Sequence, residues 1–336
     1  MRVHARWGNF FAMSLSDRPR LGPPAGTLPV RINWINATAL LLYHAVAALA
    51  VLPWLFSWAG VLAAVLGTYV FGTLGINLCY HRLLTHRGLV CPKWLEHTLA
   101  LVGVCCFQDS PARWVAVHRR HHEYSDEPQD PHSPLVSFLW AHLQWIYVEN
   151  RELNRLGIYD RYAKDILRDR FYVTLERNNA WVLVIVASWM VFFLGGAALG
   201  FLTGGTAAQA LQTGLSMLVW GVFVRTVLVW HITWSVNSLS HLSGYRNYRT
   251  ADFSRNNILV GLISNGEGWH NNHHADPRSA RHGHRTWEID VTWMTIRLLE
   301  RLGLATSVVR PALKVVASAG QNTEIPDPEG WRSADA

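Results

Sequence analysis

Charged residues are scarce in this chain. Asp, Glu, Lys and Arg make up 16 % of its 336 residues, whereas about a quarter is usual in a soluble domain. Half of the residues are hydrophobic, and 17 are tryptophan, which concentrates at membrane–water interfaces. This composition argues against an ordinary soluble domain and favours an integral membrane protein.

Cysteine is also rare. None of the four thiols belongs to a CxxC pair or a regular framework, and they stand at Cys79, Cys91, Cys105 and Cys106. This spacing argues against a disulfide scaffold, so we expect a reduced compartment and inert thiols.

Charge is almost missing from four long stretches of the chain. Three of them contain no Asp, Glu, Lys or Arg, and the fourth contains only Arg225. Each is about 20 residues or longer, the length that crosses a hydrocarbon core of roughly 30 Å. Their short, uncharged linkers predict an all-α integral membrane protein with two helical hairpins, whose spans lie at about 37–57, 59–80, 180–203 and 207–235. We expect one domain over 1–318 and a disordered tail over 319–336.

The fourth stretch is longer than a span requires. As a helix it would reach about 45 Å at 1.5 Å per residue, so its C-terminal end should project into the cytosol, and the second span should run on towards His86. Arg225 would then lie near the inner face as an anchor to lipid headgroups. The apolar segments 94–107 and 133–148 are short or interrupted, and we interpret them as interfacial helices.

The basic residues give the orientation. Of the 30 Lys and Arg residues, five precede the first span, 13 lie between the hairpins and 11 follow the last span. With four spans these three segments share one side of the membrane, and the positive-inside rule makes that side cytoplasmic. We therefore expect a protein of a bacterial cytoplasmic membrane, with both termini and the central segment in the cytoplasm. The net positive charge is explained by basic residues in the segments next to the membrane, so it does not indicate binding of nucleic acid.

Histidines form three clusters: HRLLTH at His81 and His86, HRRHH at 118–122 and HNNHH at 270–274. In the last two, rings at i, i+3 and i+4 of a helix point to one side, which suits ligands shared between two adjacent metal ions. The five-residue separation in the first cluster places its rings about 140° apart on a regular helix. They can meet one site only if the helix ends or distorts between them.

A fourth group, Asn237 and His241, lies on one helical face at i and i+4. Nine of the 17 histidines thus belong to groups at or beyond the cytoplasmic ends of the spans. Imidazole nitrogens do not suit Ca²⁺ or Mg²⁺ but suit Zn, Cu, Fe or Ni. Nine ligands exceed one tetrahedral zinc, so we predict two metal ions, although spacing alone does not select iron.

Three carboxylates near these histidines, Asp126, Asp130 and Glu267, can accept hydrogen bonds from metal-bound imidazoles and fix their orientation. The alternative is that they cap helices or pair with nearby arginines, namely Arg119, Arg120 and Arg278. We expect His132, which follows Pro131, to belong to a turn that closes over the site.

The motifs HRLLTHR, HRRHHEYSDEPQDPHSP, NSLSHLSG and GEGWHNNHH, taken in this order, resemble the membrane fatty acyl desaturases of the Δ9 class. That family includes the stearoyl desaturases of animals and their bacterial relatives. The similarity covers roughly residues 35 to 300.

The resemblance implies four transmembrane helices and a cytosolic helical cap that holds two iron ions. It implies that an asparagine holding a metal-bound water corresponds to Asn237. It also implies that O₂ is reduced to water with two electrons from a donor, while an acyl chain in a kinked tunnel gains a cis double bond. The implied nitrogen ligands are His81, His86, His118, His121, His122, His241, His270, His273 and His274.

An acyl tunnel must hold a featureless chain in one register, and Trp140, Trp145, Trp230 and Trp234 are candidates for its wall. The alternative for each of them is an aromatic side chain at the membrane interface. The animal acyl-CoA enzymes carry an Arg-Asp pair just before the second histidine box, where this chain has Ala116 and Val117. The sequence therefore does not decide whether the acyl chain is attached to CoA or to a membrane lipid. Three arginines are candidates for a phosphate-bearing headgroup: Arg113, Arg119 and Arg120.

The chain has no HPGG haem-attachment pattern. The resemblance therefore implies a separate electron donor, a ferredoxin or a b-type cytochrome with its reductase, docked on the basic cytoplasmic face.

Two other classes of protein also carry histidine clusters in a membrane chain. A hydroxylase of the same histidine-box superfamily, acting on a lipid, sterol, carotenoid or alkane, shares the first hydrogen abstraction, and GEGWHNNHH with NSLSH favours the desaturases over it. A metal transporter or sensor would place its ligands near the bilayer midplane, whereas these clusters lie at the ends of the spans.

Overall fold

The computed structural model describes residues 18–154 and 156–313. Within them, four helices are long and apolar enough to cross a membrane: Trp34–Val51, Trp58–Thr85, Trp181–Gly204 and Ala207–Leu242. Four spans were predicted and four are found. The predicted single domain 1–318 extends beyond the described residues at both ends, and the tail predicted at 319–336 lies outside them.

Local signals set the ends of the spans. The side chains of Asn33, Ser57 and Thr206 each accept a hydrogen bond from a backbone N–H in the first turn of the helix that follows. Gly205, at φ 71°, ends the third span in the left-handed conformation that favours glycine. The second and fourth spans overrun the bilayer length towards Thr85 and Leu242, as their sequences predicted.

Helices make up most of the described chain. Those carrying the spans are α1 (Trp34–Ala48), α2 (Trp58–Gly67, continuing as a π-helix over Thr68–Thr85), α8 (Trp181–Gly204) and α9 (Ala207–Leu218, π-helical Val219–Val224 and Arg225–Leu242). The others are α3 (Lys93–Val104), α4 (Pro111–Glu123), α5 (π-helical Trp140–Gln144, then Trp145–Tyr147), α6 (Gly157–Tyr162), α7 (Arg170–Glu176), α10 (Ile258–Ile263), α11 (His270–Ala275) and α12 (Val291–Arg301). Short 3₁₀ turns occupy Leu49–Val51, Pro53–Leu55, Ile166–Arg168 and Arg177–Asn179.

One small sheet accompanies the helices and had no counterpart in the sequence prediction. Strand β1 (Thr27–Ile32) pairs antiparallel with β2 (Val148–Asn150). The ribbon joins the segment before α1 to the end of α5. It therefore fixes the entry to the first span against the chain that follows the second histidine box.

The four spans differ in burial. In their most apolar windows, 6 % of residues are buried in the first span and 11 % in the third, against 39 % in the second and 50 % in the fourth. Helices α2 and α9 are therefore central, while α1 and α8 present exposed apolar side chains that suit lipid. The central pair also carries histidines.

The non-spanning helices pack on the end of α2. Gly75 on α2 meets Gly103 on α3 so closely that a Cβ on Gly75 would lie 2.6 Å from the Gly103 nitrogen. Ser110 caps α4 by accepting from Arg113 N–H, and Pro111 begins the helix. Of the predicted interfacial helices, 94–107 corresponds to α3, and 133–148 contains a turn followed by α5; their interfacial position stays a prediction.

The prediction for Arg225 was wrong. The side chain is fully buried and does not reach the surface. Its Nε donates to the Gly221 carbonyl at 3.0 Å, Nη1 donates to the Cys105 carbonyl at 3.2 Å, and the guanidinium lies 3.9 Å from the centroid of the Phe71 ring. The depth of Arg225 along the span predicted a contact with lipid headgroups. Helix α9 is central, however, so this side chain points into the protein.

We expect Gly75→Ala to lower stability, because the added Cβ would overlap the Gly103 backbone and force α2 and α3 apart. Overpacking of this kind costs about 1–3 kcal/mol. Gly195→Ala on α8 is the matched control, since a Cβ there meets nothing within 4 Å. Thermal unfolding of both variants in one detergent checks this, and equal midpoints would contradict the close contact.

Candidate metal centre

The first histidine box is brought together by the winding of α2. A π-helix bonds residue i to i+5, which returns the chain to the same side after five residues. The His86 N–H accordingly donates to the His81 carbonyl at 3.1 Å, and the two ring centroids lie 4.8 Å apart. The distortion required by the sequence is therefore a π-helix that ends at the second histidine.

The second box divides between two places. His118 and His122, one turn apart on α4, bring their Nε2 atoms to 3.1 Å. His121 lies between them in sequence, and its Nδ1 faces Asp130 at 2.9 Å. Its ring is 5.3 Å from that of His274, in the third box.

The third box on α11 divides in the reverse sense. His270 and His274 bring their Nε2 atoms to 3.1 Å. His273 turns towards the first two boxes, with its Nε2 2.9 Å from His122 Nε2 and 3.1 Å from His81 Nε2. Helices α4 and α11 thus each give two histidines to one group and one to the other.

The nine predicted histidines form two groups in which the ligand atoms of each group lie within 4.8 Å of one another. The four-membered group includes His241 from the end of α9, whose ring is 4.9 Å from that of His270. The first group is His81, His86, His118, His122 and His273; the second is His121, His241, His270 and His274.

Carboxylates hold four of the rings from behind. The Nδ1 atoms of His81, His121 and His241 lie 2.6, 2.9 and 2.8 Å from carboxylate oxygens, and the partners are Glu267, Asp130 and Asp126. All three predicted ring partners are confirmed as hydrogen-bonding groups of these histidines. Among the described residues, Glu267 is the one of the three that also pairs with an arginine, and its partner is Arg82, 2.8 Å away.

A fourth carboxylate was missed. Asp252 Oδ2 accepts from His274 Nδ1 at 2.6 Å. The residue stands 11 positions after His241 in a polar loop and shares no helical spacing with any histidine. No sequence signal distinguishes it from other loop carboxylates.

Two of the facing ring nitrogens carry no proton when their rings are neutral. The Nδ1 of His81 and of His274 faces a carboxylate and must donate, so the Nε2 of each presents a lone pair. These lone pairs face other Nε2 atoms at about hydrogen-bond distance, and His86 Nε2 and His241 Nε2 have no hydrogen-bond partner among the described residues. A cation between the Nε2 atoms of each group would accept their lone pairs, so both groups fit a metal ion.

Burial favours the neutral, ligand-competent form of these rings. Burial and the neighbouring imidazoles hold the pKa well below its usual value in six histidines outside the spans: His86, His118, His121, His122, His270 and His273. Burial alone would raise the pKa of the Glu267 carboxyl, but the Arg82 guanidinium holds it well below its usual range. The carboxylate therefore stays ionised to accept from His81.

Two further histidines flank the groups. His282, which the sequence analysis did not single out, lies with Nδ1 3.3 Å from Glu267 and its ring 4.4 Å from that of His273. His132 is buried in the turn before α5, with its ring 4.3 Å from that of His121. The expected turn over the site is therefore present.

A cavity of about 170 Å³ adjoins the histidines, and Asn237, His81, His118 and His270 line part of it. Three of the four candidate tryptophans, Trp145, Trp230 and Trp234, line this cavity. Trp140 does not line it; the side chain is buried elsewhere and donates from Nε1 to the Pro131 carbonyl at 3.1 Å. Apolar and aromatic residues supply much of the wall: Leu40, Ile76, Phe107, Trp114, Val117, Trp181, Ile232 and Val236.

The three candidate headgroup arginines differ in availability. Arg119 is committed inside the protein, where it pairs with Asp165 at 2.8 Å and donates to three backbone carbonyls. Arg120 donates to the Gln129 carbonyl. Arg113 lines the cavity and pairs with Asp109 at 3.3 Å, so one arginine of the three faces the cavity.

A family model described as fatty acid desaturase matches residues 56–290, which contain all nine histidines. The chain belongs to the fatty acid desaturase family. It is an oxidoreductase that desaturates fatty acyl groups.

Curated relatives match this desaturase over most of their length. It is 41 % identical to an sn-2 palmitoyl-lipid 9-desaturase of Nostoc sp. (strain 36), with 86 % of this chain and 94 % of the relative covered. It is 42 % identical to an sn-1 stearoyl-lipid 9-desaturase of Anabaena variabilis, covering 83 % and 94 %. It is also 38 % identical to an acyl-CoA 5-desaturase of Anemone leveillei, covering 86 % and 88 %.

Asp252→Asn should weaken metal binding by the desaturase. The neutral amide accepts from His274 Nδ1 more weakly than the carboxylate and can instead turn its NH₂ towards the ring, and loss of such a partner typically lowers metal affinity about 10–100-fold. The measurement is the amount of metal retained by purified protein during dialysis against increasing chelator.

Asp160→Asn on exposed α6 is the control and should retain metal as the wild type does. Equal retention by Asp252→Asn would remove Asp252 from the metal centre.

Proposed function

We propose that this desaturase inserts a cis double bond at the Δ9 position of a long-chain acyl group, with two iron ions held by the two histidine groups and O₂ as co-substrate. The observation that carries the proposal is the pair of groups with converging Nε2 atoms beside a cavity whose wall includes many apolar and aromatic side chains. An unactivated methylene has no acidic proton or leaving group, so acid–base side chains cannot attack it. Bound iron would supply the oxidising power.

The proposed division of ligands follows the two groups. His81, His86, His118, His122 and His273 would hold one iron ion, and His121, His241, His270 and His274 the other. Asn237 lines the cavity beside His81 and His270, where its amide would hold a metal-bound water. The carboxylates behind His81, His121, His241 and His274 keep the Nδ1 of these rings protonated and their Nε2 free for metal.

The register of the acyl chain is the second task of the protein. A saturated chain offers no polar handle, so its position must follow from the shape of the cavity. Trp230 and Trp234 stack at a centroid distance of 5.5 Å in the wall and are almost fully buried. Rigid rings of this kind can hold one methylene pair beside the histidine groups, which supports a single double-bond position.

An acyl lipid is the carrier that we favour. Ala116 is fully buried and Val117 nearly so, and neither can supply the charges that an Arg-Asp pair would offer to CoA. The one candidate arginine at the cavity, Arg113, is already paired with Asp109. Two relatives with more than 40 % identity are named as lipid 9-desaturases.

We propose that the four spans form two hairpins in a bacterial cytoplasmic membrane. The non-spanning helices, with the histidine groups, would form a cap on the cytoplasmic side, together with both termini. The basic residues outside the spans support this orientation. Electrons would come from a separate ferredoxin, or a b-type cytochrome with its reductase, docked on that basic face.

Expression in a bacterium that lacks Δ9 desaturase activity tests the function. We expect a new cis monoene in membrane lipids that depends on iron and O₂, located by mass spectrometry of double-bond derivatives. A hydroxylated lipid without a monoene would support the hydroxylase instead. Pulse labelling separates the carriers, because an acyl-lipid enzyme desaturates chains after their incorporation into lipid.

His121→Ala and His273→Ala should each abolish turnover, because each removes one ligand from one group. Bound iron should fall from two ions towards one per chain, measured by elemental analysis. His97→Gln, outside the centre, is the control and should keep both iron ions. Full activity in either alanine variant would contradict the assignment of that histidine.

A further inference from the structure

Three histidines outside the metal centre form a hydrogen-bonded chain. His44 Nε2 on α1 lies 3.1 Å from His231 Nε2 on α9, and His231 Nδ1 lies 3.0 Å from His142 Nε2 on α5. At one end His44 Nδ1 meets the Leu40 carbonyl at 2.7 Å. At the other, His142 Nδ1 lies 3.1 Å from Ser238 Oγ, which itself donates to a backbone carbonyl.

The chain needs one proton more than neutral rings provide. The Leu40 carbonyl can only accept, and the Ser238 hydroxyl has already given its proton to the Trp234 carbonyl. The four bonds that run from Leu40 to Ser238 therefore require four ring protons, whereas three neutral imidazoles carry three. With three neutral rings, all four bonds form only if Ser238 turns its hydroxyl proton from the Trp234 carbonyl to His142 Nδ1; with one ring protonated, the four bonds and the Ser238–Trp234 bond form together.

The chain crosses the outside of the cavity wall. The cavity is lined by Leu40 of α1, Trp145 and Ile146 of α5, and Trp230 and Trp234 of α9. Each of the three histidines belongs to one of these helices. His231 is the middle ring, so its two bonds hold α9 against both α1 and α5.

The seam that these histidines bridge faces lipid. Phe138 stacks on the His142 ring and is 42 % exposed. The three helices carry further exposed apolar side chains on or next to them, with exposures of 56 % at Leu42, 55 % at Leu139 and 47 % at Leu228. Side chains of this type suit a membrane environment rather than water. The wall at this seam thus separates the bilayer from the cavity, and the contacts that join its helices there are the hydrogen bonds of the three histidines.

We propose that the seam between α9 and the α1–α5 pair is the entrance by which a bilayer acyl lipid reaches the cavity, with the chain of His44, His231 and His142 as its clasp. The inference rests on the proposed lipid substrate. A chain esterified to a membrane lipid cannot leave the bilayer as a soluble thioester does. It must enter sideways, and the clasp can open without disrupting an apolar core.

Protonation closes the clasp. Burial lowers the pKa of His142, so at neutral pH the chain is short of one proton and one bond. Acidification supplies the proton, completes the chain and should slow entry. The other titratable side chains of α1, α5 and α9 are Tyr43, Tyr147, Arg225 and His241. Within the described residues, none of these four forms a hydrogen bond with the clasp. The aromatic rings packed on the clasp are Phe138, Trp230 and Trp234.

The test uses the full-length protein in vesicles of phosphatidylglycerol whose stearoyl chain carries a mid-chain diazirine. The readout is the rate of light-induced labelling of cavity residues, located by mass spectrometry. Cross-linking of His44→Cys/His231→Cys with a bis-methanethiosulfonate reagent should slow labelling, and a reductant should restore it. The four native cysteines are buried, so the reagent-treated wild type is a direct control.

His231→Leu removes both bonds of the middle ring and should speed labelling by about 5- to 25-fold, the factor that one to two net hydrogen bonds supply. In the wild type, labelling should slow as the pH falls below about 6, because burial lowers the pKa of His142 from its usual value, and in His231→Leu it should not. His97→Gln, on α3, should behave as the wild type.

The outcomes separate the two proposals. An unchanged labelling rate after cross-linking overturns the entrance, while the lipid substrate stands. Absent labelling of the wild-type cavity from vesicles, with labelling retained from a diazirine stearoyl-CoA, overturns the lipid substrate and the entrance together.

Discussion

The structure depends on imidazole nitrogens that face one another within each histidine group. His273 Nε2 lies 3.1 Å from His81 Nε2 and 2.9 Å from His122 Nε2, an arrangement that a cation between the rings would stabilise. Buried carboxylates make it persist by fixing a proton on the Nδ1 atoms of His81, His121, His241 and His274. The charges behind the rings thus decide which nitrogen remains available for metal.

The same requirement shapes the backbone. Helix α2 must cross the membrane and also give two ligands, His81 and His86, to one group. A regular α-helix would send these rings to different sides, and the π-helical winding from Thr68 onwards brings them together. Helices α4 and α11 each give a regular i, i+4 pair of histidines to one group. Each also gives the histidine at i+3 to the other group, so the two helices connect the two histidine groups.

Sequence spacing predicted much of this arrangement, and its gaps have physical causes. Apolar length predicted four spans, and the i, i+3, i+4 pattern predicted the second and third boxes, because both depend on local geometry. Asp252 escaped because a loop brings it to His274 without any period. Arg225 was misplaced because its depth along the helix does not tell which side of α9 faces the protein. Trp140 was misplaced because the sequence does not distinguish a tryptophan that lines a cavity from one that is buried in the core.

The two central spans link the metal centre to the depth of the bilayer. His81 lies near the end of α2 and His241 near the end of α9, and both helices continue without a break from their membrane-crossing portions. The distance between the lipid interface and the histidine groups is therefore set by rigid helices rather than by loops. In the proposed function, where the carboxyl end of the acyl chain stays at the interface, that fixed distance would select which methylenes reach the histidine groups. A shorter or longer projection of α2 and α9 would move the double bond, since the chain itself offers no other mark.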